Sequence, residues 1–148
     1  MSESNYWARI KPMLIGLDAQ RIESLTGLGV PDVNYTHGWI ELKWIKEWPK
    51  RPTTNVRIDH FTPQQKVWLI RRIHSGGRAH VLLGIGTGES LLFWGDVAAS
   101  HIGSSTREEL IQHACGYWQK GDRNMPKELK SVLHEDRFER QRGLFDAR

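Results

Sequence analysis

Residues 30–45, VPDVNYTHGWIELKWI, read as a β-hairpin: one arm around Val33 to Tyr35, a turn at His37 and Gly38, and a longer arm from Trp39 to Ile45. Side chains alternate across a strand, so Trp39, Glu41, Lys43 and Ile45 share one side while Ile40, Leu42 and Trp44 share the other. Both sides carry large apolar groups. A carboxylate and an ammonium are thereby pushed toward a partly buried surface, where an unpaired charge is costly. A Glu41–Lys43 ion pair on a half-exposed strand is one explanation, and such a pair contributes little. Pro31-Asp32 opens a second, because it begins the arm that would lie beside Glu41 and brings two carboxylates together. Two acids at a strand edge can hold a hard cation such as Mg²⁺, which prefers oxygen ligands. Taken alone, Asp32 reads as a turn-capping aspartate after proline.

Upstream, Trp7, Ile10 and Leu14 have the spacing of a helix over Ser4 to Leu17, interrupted at Pro12. A short strand, RIESL (21–25), and a glycine turn, TGLG (26–29), lead into the hairpin. Downstream, Pro49, Arg51 and Pro52 mark a basic loop that runs to about His60. The clearest helix is TPQQKVWLIRRIHSGG (62–77), with Thr62 as N-cap, Pro63 in the first position and Gly76-Gly77 as the stop. Its apolar stripe is Val67, Ile70 and Ile73, with Leu69 beside it. AHVLLGIG (79–86) is a strand buried on both faces, and SLLFWG (90–95) follows it after a hairpin turn at TGE (87–89). A helix from Thr106 to Gln119, capped by Ser105 with Glu108, and a short last helix from Pro126 to His134 complete the pattern. The expected architecture is α/β, a mixed central sheet flanked by helices.

The chain of 148 residues fits one domain, and 39% hydrophobic with 26% charged residues fits a folded globular protein. No apolar run approaches the roughly 20 residues that span a bilayer, and the polar start lacks a signal-peptide core. The lone Cys115 cannot form an internal disulfide and falls in the helical pattern, where a structural role is expected. A cytoplasmic location follows from these features. Of the net charge of +4, residues 43–72 hold eight Lys or Arg against two acids, Glu47 and Asp59. Such a block suits a polyanion, because neutralising phosphates releases condensed counterions; a solvated basic loop is the alternative. The seven histidines show no ligand pair at metal spacing.

Pro31-Asp32 followed, after eight intervening residues, by Glu41-Leu42-Lys43 resembles the PD-(D/E)XK nuclease signature. The flanks GVPDVN and WIELK, the segment FTPQQKVWL and the strand GGRAHVLLGIG are similar to the VRR-NUC and archaeal-type Holliday junction resolvase branch, small proteins common in phages and bacteria. The resemblance covers roughly residues 3 to 95, leaving 104–148 as a helical extension. It implies a restriction-endonuclease-like core in the cytoplasm of a bacterium or a phage-infected cell. It also implies a DNA endonuclease using Mg²⁺ or Mn²⁺, held by Asp32, Glu41 and the Leu42 carbonyl, with Lys43 as the catalytic lysine. Gln65 matches a glutamine near the metal site, and equally matches a capping box with Thr62. Glu3 best matches the family's acid on the first helix, with Glu23 as the substitute.

Branched DNA, foremost a Holliday junction, is the substrate implied. A less selective flap, nick or single-strand nuclease and a non-catalytic nucleic-acid-binding module are the rivals. Lys46, Lys50, Arg51 and Arg57 are the expected phosphate contacts, and Trp44 and Trp48 the tryptophans placed to stack on bases. Paired cuts across a two-fold junction need two centres, so a homodimer is expected, joined through Leu91 to Trp94 and the N-terminal helix around Trp7.

Overall fold

The computed structural model describes residues 2–22, 28–135 and 137. In chain order the elements are α1 (Glu3–Ile10), a 3-10 turn (Lys11–Leu14), β1 (Gln20–Arg21), β2 (Val33–Tyr35), β3 (Gly38–Ile45), α2 (Pro63–His74), β4 (Ala79–Ile85), β5 (Ser90–Trp94), α3 (Gly95–His101), α4 (Arg107–His113), β6 (Gly116–Trp118) and α5 (Met125–His134). The strands form one mixed sheet in the order β1-β2-β3-β4-β5-β6. Only β3 and β4 are parallel, and α2 lies within the crossover that a parallel pair requires. This is an α/β fold with helices on both faces of the sheet.

Alternation along the strands divides the core in two. Ile40, Leu42, Leu82 and Leu92 face α1, the 3-10 turn and α5, where they meet Tyr6, Ile10, Leu14, Leu129 and Leu133. Val81, Leu83, Leu91 and Phe93 face the other way, onto Leu69 of α2, Ala98 of α3 and Leu110 of α4. Each such aliphatic side chain, taken fully from water, contributes about 1.5–3 kcal/mol. Central β4 is buried along its whole length, which is why its sequence shows no polar alternation. Tyr6 lies flat on this strand at Gly84, where an added Cβ would stand 2.6 Å from the ring, and its hydroxyl lies 2.9 Å from Ser90 Oγ. Among the described residues no helix is long and apolar enough to cross a membrane.

Several sequence expectations need correction. The first helix stops at Ile10 and continues as a 3-10 turn, because Pro12 cannot donate into the α-helical ladder. The strand expected over residues 21–25 is seen only at Gln20–Arg21; residues 23–27, Glu23 among them, lie outside the described residues. On α2 the buried side chain is Leu69, whereas Val67 is 54% exposed. The helix expected over Thr106–Gln119 is capped by Thr106 with Glu109 and ends at His113. Its remainder becomes the edge strand β6, paired antiparallel with β5. Cys115 precedes that strand, its thiol 3.3 Å from the Leu92 carbonyl. The short helix α3 has no counterpart among the sequence expectations. Of the surface expected to join a dimer, Leu91, Leu92 and Phe93 are fully buried within the fold, while Trp94 and Trp7 are half-buried.

A buried histidine sits in the core without a hydrogen-bond partner. His80 on β4 is wholly enclosed beside the Trp94 ring, 4.2 Å between centroids, and neither ring nitrogen has a hydrogen bond. Burial, with Arg78 and Arg137 adding to it, depresses its pKa to about 3. Below about pH 6.5 the unfolded chain therefore takes up a proton that the folded chain refuses. Native stability should fall as pH drops from about 6.5 toward 3, by about 1.4 kcal/mol per unit from this group. His80→Leu should remove that slope and raise stability at neutral pH by about 1–3 kcal/mol, as urea unfolding at a series of pH values would read.

Candidate active site

The candidate centre lies where β2 begins. Pairing sets Val33 opposite Ile40, so one step toward the N-terminus puts Asp32 opposite Glu41. Asp32 is fixed from both sides. Its main-chain carbonyl accepts from Ile22 N–H at 2.6 Å, and its carboxylate Oδ2 accepts from Leu42 N–H at 2.9 Å. Because a strand residue's N–H and C=O point to the same side, the Leu42 carbonyl is directed to the Asp32 side as well. The approach to Asp32 depends on Gly29, whose φ is +77° and whose missing Cβ would meet the Gln64 carbonyl of α2 at 2.5 Å. No other residue fits there without moving the helix.

Glu41 and Lys43 project from β3 toward the α2 side of the sheet, the side on which Trp39 and Ile45 also pack. Both are 2% exposed. Lys43 Nζ lies 3.3 Å from Glu41 Oε1 and donates to the His60 carbonyl at 3.0 Å, with the Phe61 ring 5.6 Å away. The other carboxylate oxygen of Glu41 is buried with no hydrogen-bond partner. Burial and then the charge of Asp32 push the Glu41 carboxyl far above the ordinary range, and Lys43 offsets only part of this. With both acids ionised, one ammonium would leave negative charge uncompensated, and a proton on Glu41 relieves that in the absence of a cation.

Glu3 joins this group across the sheet's edge. It is the first residue of α1, behind an N-cap in which Ser2 Oγ accepts from Asn5 N–H. Its carboxylate is 3.5 Å from His60 Nε2 and 4.0 Å from Arg21. Burial, followed by the Asp32 charge, raises its pKa; burial, followed by the Lys43 charge, lowers that of His60. Sequence reasoning misses His60 and Phe61, since only the closing of the 46–62 loop brings them to Lys43.

The remaining candidates divide. Lys46, Lys50, Arg51 and Arg57 are all exposed, and the loop that carries them forms a broad groove of about 680 Å³ in which Lys50 and Arg57 are lining residues. Trp48 offers no open face: it is 7% exposed, donates to Glu89 Oε1 at 2.9 Å, and carries the Arg107 guanidinium 5.1 Å over its ring. Trp44 packs on the opposite face of the sheet, against the α1 and α5 cluster. Gln65 completes a capping box, its Oε1 accepting from Thr62 N–H at 3.0 Å while its own N–H donates to Thr62 Oγ1 at 3.2 Å. Of its two sequence readings, the cap is the one formed here.

The donor set fits a small divalent cation. Among the described residues no group of three or more His, Cys, Asp or Glu side chains stands ready to enclose a metal. What is present is two carboxylates and a main-chain carbonyl, leaving positions for water, as Mg²⁺ prefers. The unpartnered oxygen of Glu41 is the position a cation would occupy in place of a proton. Glu41→Gln removes the buried charge and keeps an acceptor for Lys43. In chelator this variant should melt higher than the wild type, whereas millimolar Mn²⁺ should raise the melting temperature of the wild type alone. A manganese shift of equal size in both proteins would place the ion elsewhere.

No protein-family model matches the chain, and no curated protein matches it. Among solved structures it is similar to the Holliday junction resolvase Hjc of Archaeoglobus fulgidus, with a TM-score of 0.48 and 16% sequence identity, over 88% of this chain and 96% of that one.

Proposed function

We infer that the chain is a metal-dependent DNA endonuclease. The observation that carries this reading is the buried Glu41–Lys43 pair beside the half-buried Asp32, with one Glu41 oxygen left without a partner. Setting a second acid against a buried carboxylate is costly, and a structural ion pair needs only one acid. Asp32, Glu41 and the Leu42 carbonyl would hold Mg²⁺ or Mn²⁺. Bound there, the cation would supply Lewis-acid polarisation of a phosphodiester and lower the pKa of its water.

The protein's own groups account for the rest. Lys43 is fixed between Glu41 and the His60 carbonyl, so its ammonium reaches the reacting phosphate already oriented and stabilises the charge that develops there. Phe61 shields it from bulk water, which strengthens that interaction. Glu3 and His60, at the rim, can orient water entering the centre. The exposed cations Lys46, Lys50, Arg51 and Arg57 follow the catalytic strand directly and would track the DNA backbone.

Branched DNA, with the four-way junction first, is the proposed substrate, on the family resemblance of the motif. Paired incision of a junction requires two such centres and hence two copies acting together; Leu91–Phe93, being buried, would not take part in their contact.

Cleavage of labelled four-way junction, flap and linear duplex should require Mg²⁺ and stop in chelator. Lys43→Met should lower kcat by about 10²–10³-fold while DNA affinity changes by less than about twofold. Cleavage that persists unchanged in excess chelator would remove the mechanism, and normal turnover with a lowered melting temperature would make Lys43 a structural ion-pair partner. Neutralising Lys46, Lys50 and Arg51 should weaken binding to all three DNA shapes alike and reduce the salt slope by about 0.9 for each phosphate no longer neutralised. An unchanged slope would leave the loop facing solvent.

A further inference from the structure

We propose that the outer face of α2 is a binding site for single-stranded DNA, taking an unpaired strand that leaves the branch point beside the candidate centre. Among the described residues three large hydrophobic side chains stand out as exposed, and two of them, Leu28 at 68% and Val67 at 54%, lie together on this face. With Pro63, Gln64, Trp68 and Arg71 they line a groove of about 290 Å³. A second groove of about 230 Å³, lined by Trp68, Arg71, Arg72 and Ser75, lies on the other side of the Trp68–Arg71 ridge. Trp68 is held rigidly in place: its ring meets Trp39 edge to face at 5.4 Å and carries the Arg72 guanidinium 4.5 Å from its centre.

The chemistry of the face selects the occupant. Arg71 and Arg72 are exposed cations, and among the described residues no acidic one lines either groove. A second copy of this chain docked here by two-fold symmetry would set these arginines against each other, which opposes association. Double-stranded DNA would satisfy the arginines but would leave Leu28, Val67 and Trp68 against phosphates, because its bases are hidden in the stack. An unpaired strand offers both parts at once, phosphates for Arg71 and Arg72 and base faces for the tryptophan, the guanidinium planes and the aliphatic side chains.

The face is continuous with the candidate centre. It lies on the same side of the sheet as Glu41 and Lys43. Leu28 and Gly29 run along the start of α2 directly before Asp32, with Gly29 against the Gln64 backbone. The other end of the centre, His60–Phe61, leads into the α2 cap at Thr62. A strand bound along α2 would therefore run toward the metal-holding residues. The function of the site rests on the nuclease reading; the binding does not.

Binding in chelator, where no cleavage intervenes, tests the site apart from catalysis. A labelled oligothymidylate of about 15 nucleotides and a blunt duplex of equal length would be titrated by fluorescence anisotropy against wild type, Arg71→Gln/Arg72→Gln and Val67→Ser. All three substituted side chains are exposed, and melting curves would verify that the variants fold. The arginine pair should lose about tenfold or more in affinity for the single strand, with a salt slope smaller by about 0.7 for each phosphate released, while duplex affinity stays within about twofold. Val67→Ser should weaken the single strand alone and leave the salt slope unchanged. Unchanged single-strand binding in both variants, equal losses for duplex and single strand, or tighter binding of the matching RNA oligomer would each overturn the proposal. Absence of cleavage with the expected binding pattern would leave the site standing and remove the nuclease reading. Normal junction cleavage with unchanged variants would do the reverse.

Discussion

The candidate centre depends on the antiparallel pairing of β2 with β3. That register puts Asp32 across from Glu41, and a slip of one residue would turn Glu41 and Lys43 to the α1 side of the sheet and break the group apart. The register is held by packing, with Val33, Tyr35, Ile40 and Leu42 all buried on the face that meets α1 and α5. It is also held by hydrogen bonds at the site itself, since Asp32 receives both Ile22 N–H and Leu42 N–H. The hydrophobic core and the placement of the two acids are thus one constraint.

The same constraint sets the electrostatics. Residues that alternate with buried apolar neighbours are carried into a low-dielectric environment, and there Glu41 keeps one partner for two oxygens. Protonation or a cation can relieve that. Lys43, one ammonium beside two carboxylates and also bound to the His60 carbonyl, answers only half the charge. The loop from Lys46 to His60 therefore has two tasks: it closes over Lys43 and presents exposed lysines and arginines outward.

The hairpin was legible because a period of two with turn residues between its arms has few other solutions, and the alternation assigned Glu41 and Lys43 to one side correctly. The last third of the chain was harder. Thr106 and Glu109 give a true capping signal, but nothing local says that the helix stops after seven residues; Gly116, Tyr117 and Trp118, with aromatic residues suited to a strand, leave it for an edge place beside β5 that only the assembled sheet supplies. Trp48 lay among cations in sequence and turned inward because Glu89, about forty positions on, offers its indole a buried acceptor. Leu91 to Trp94 was expected to offer an apolar surface, and helices on the two faces of the sheet bury Leu91, Leu92 and Phe93 of that stretch. His60 carries no motif at all, and its place beside Lys43 comes from loop closure, which sequence spacing does not encode.

Whether the Asp32–Glu41 pair holds a cation can be read directly by diffraction at the manganese absorption edge from crystals grown with Mn²⁺. One anomalous peak touching a carboxylate oxygen of both Asp32 and Glu41, and close to the Leu42 carbonyl, is the expected result. No peak there under saturating Mn²⁺, with Glu41 still bound only to Lys43, would contradict it and leave the three residues as a structural ion network.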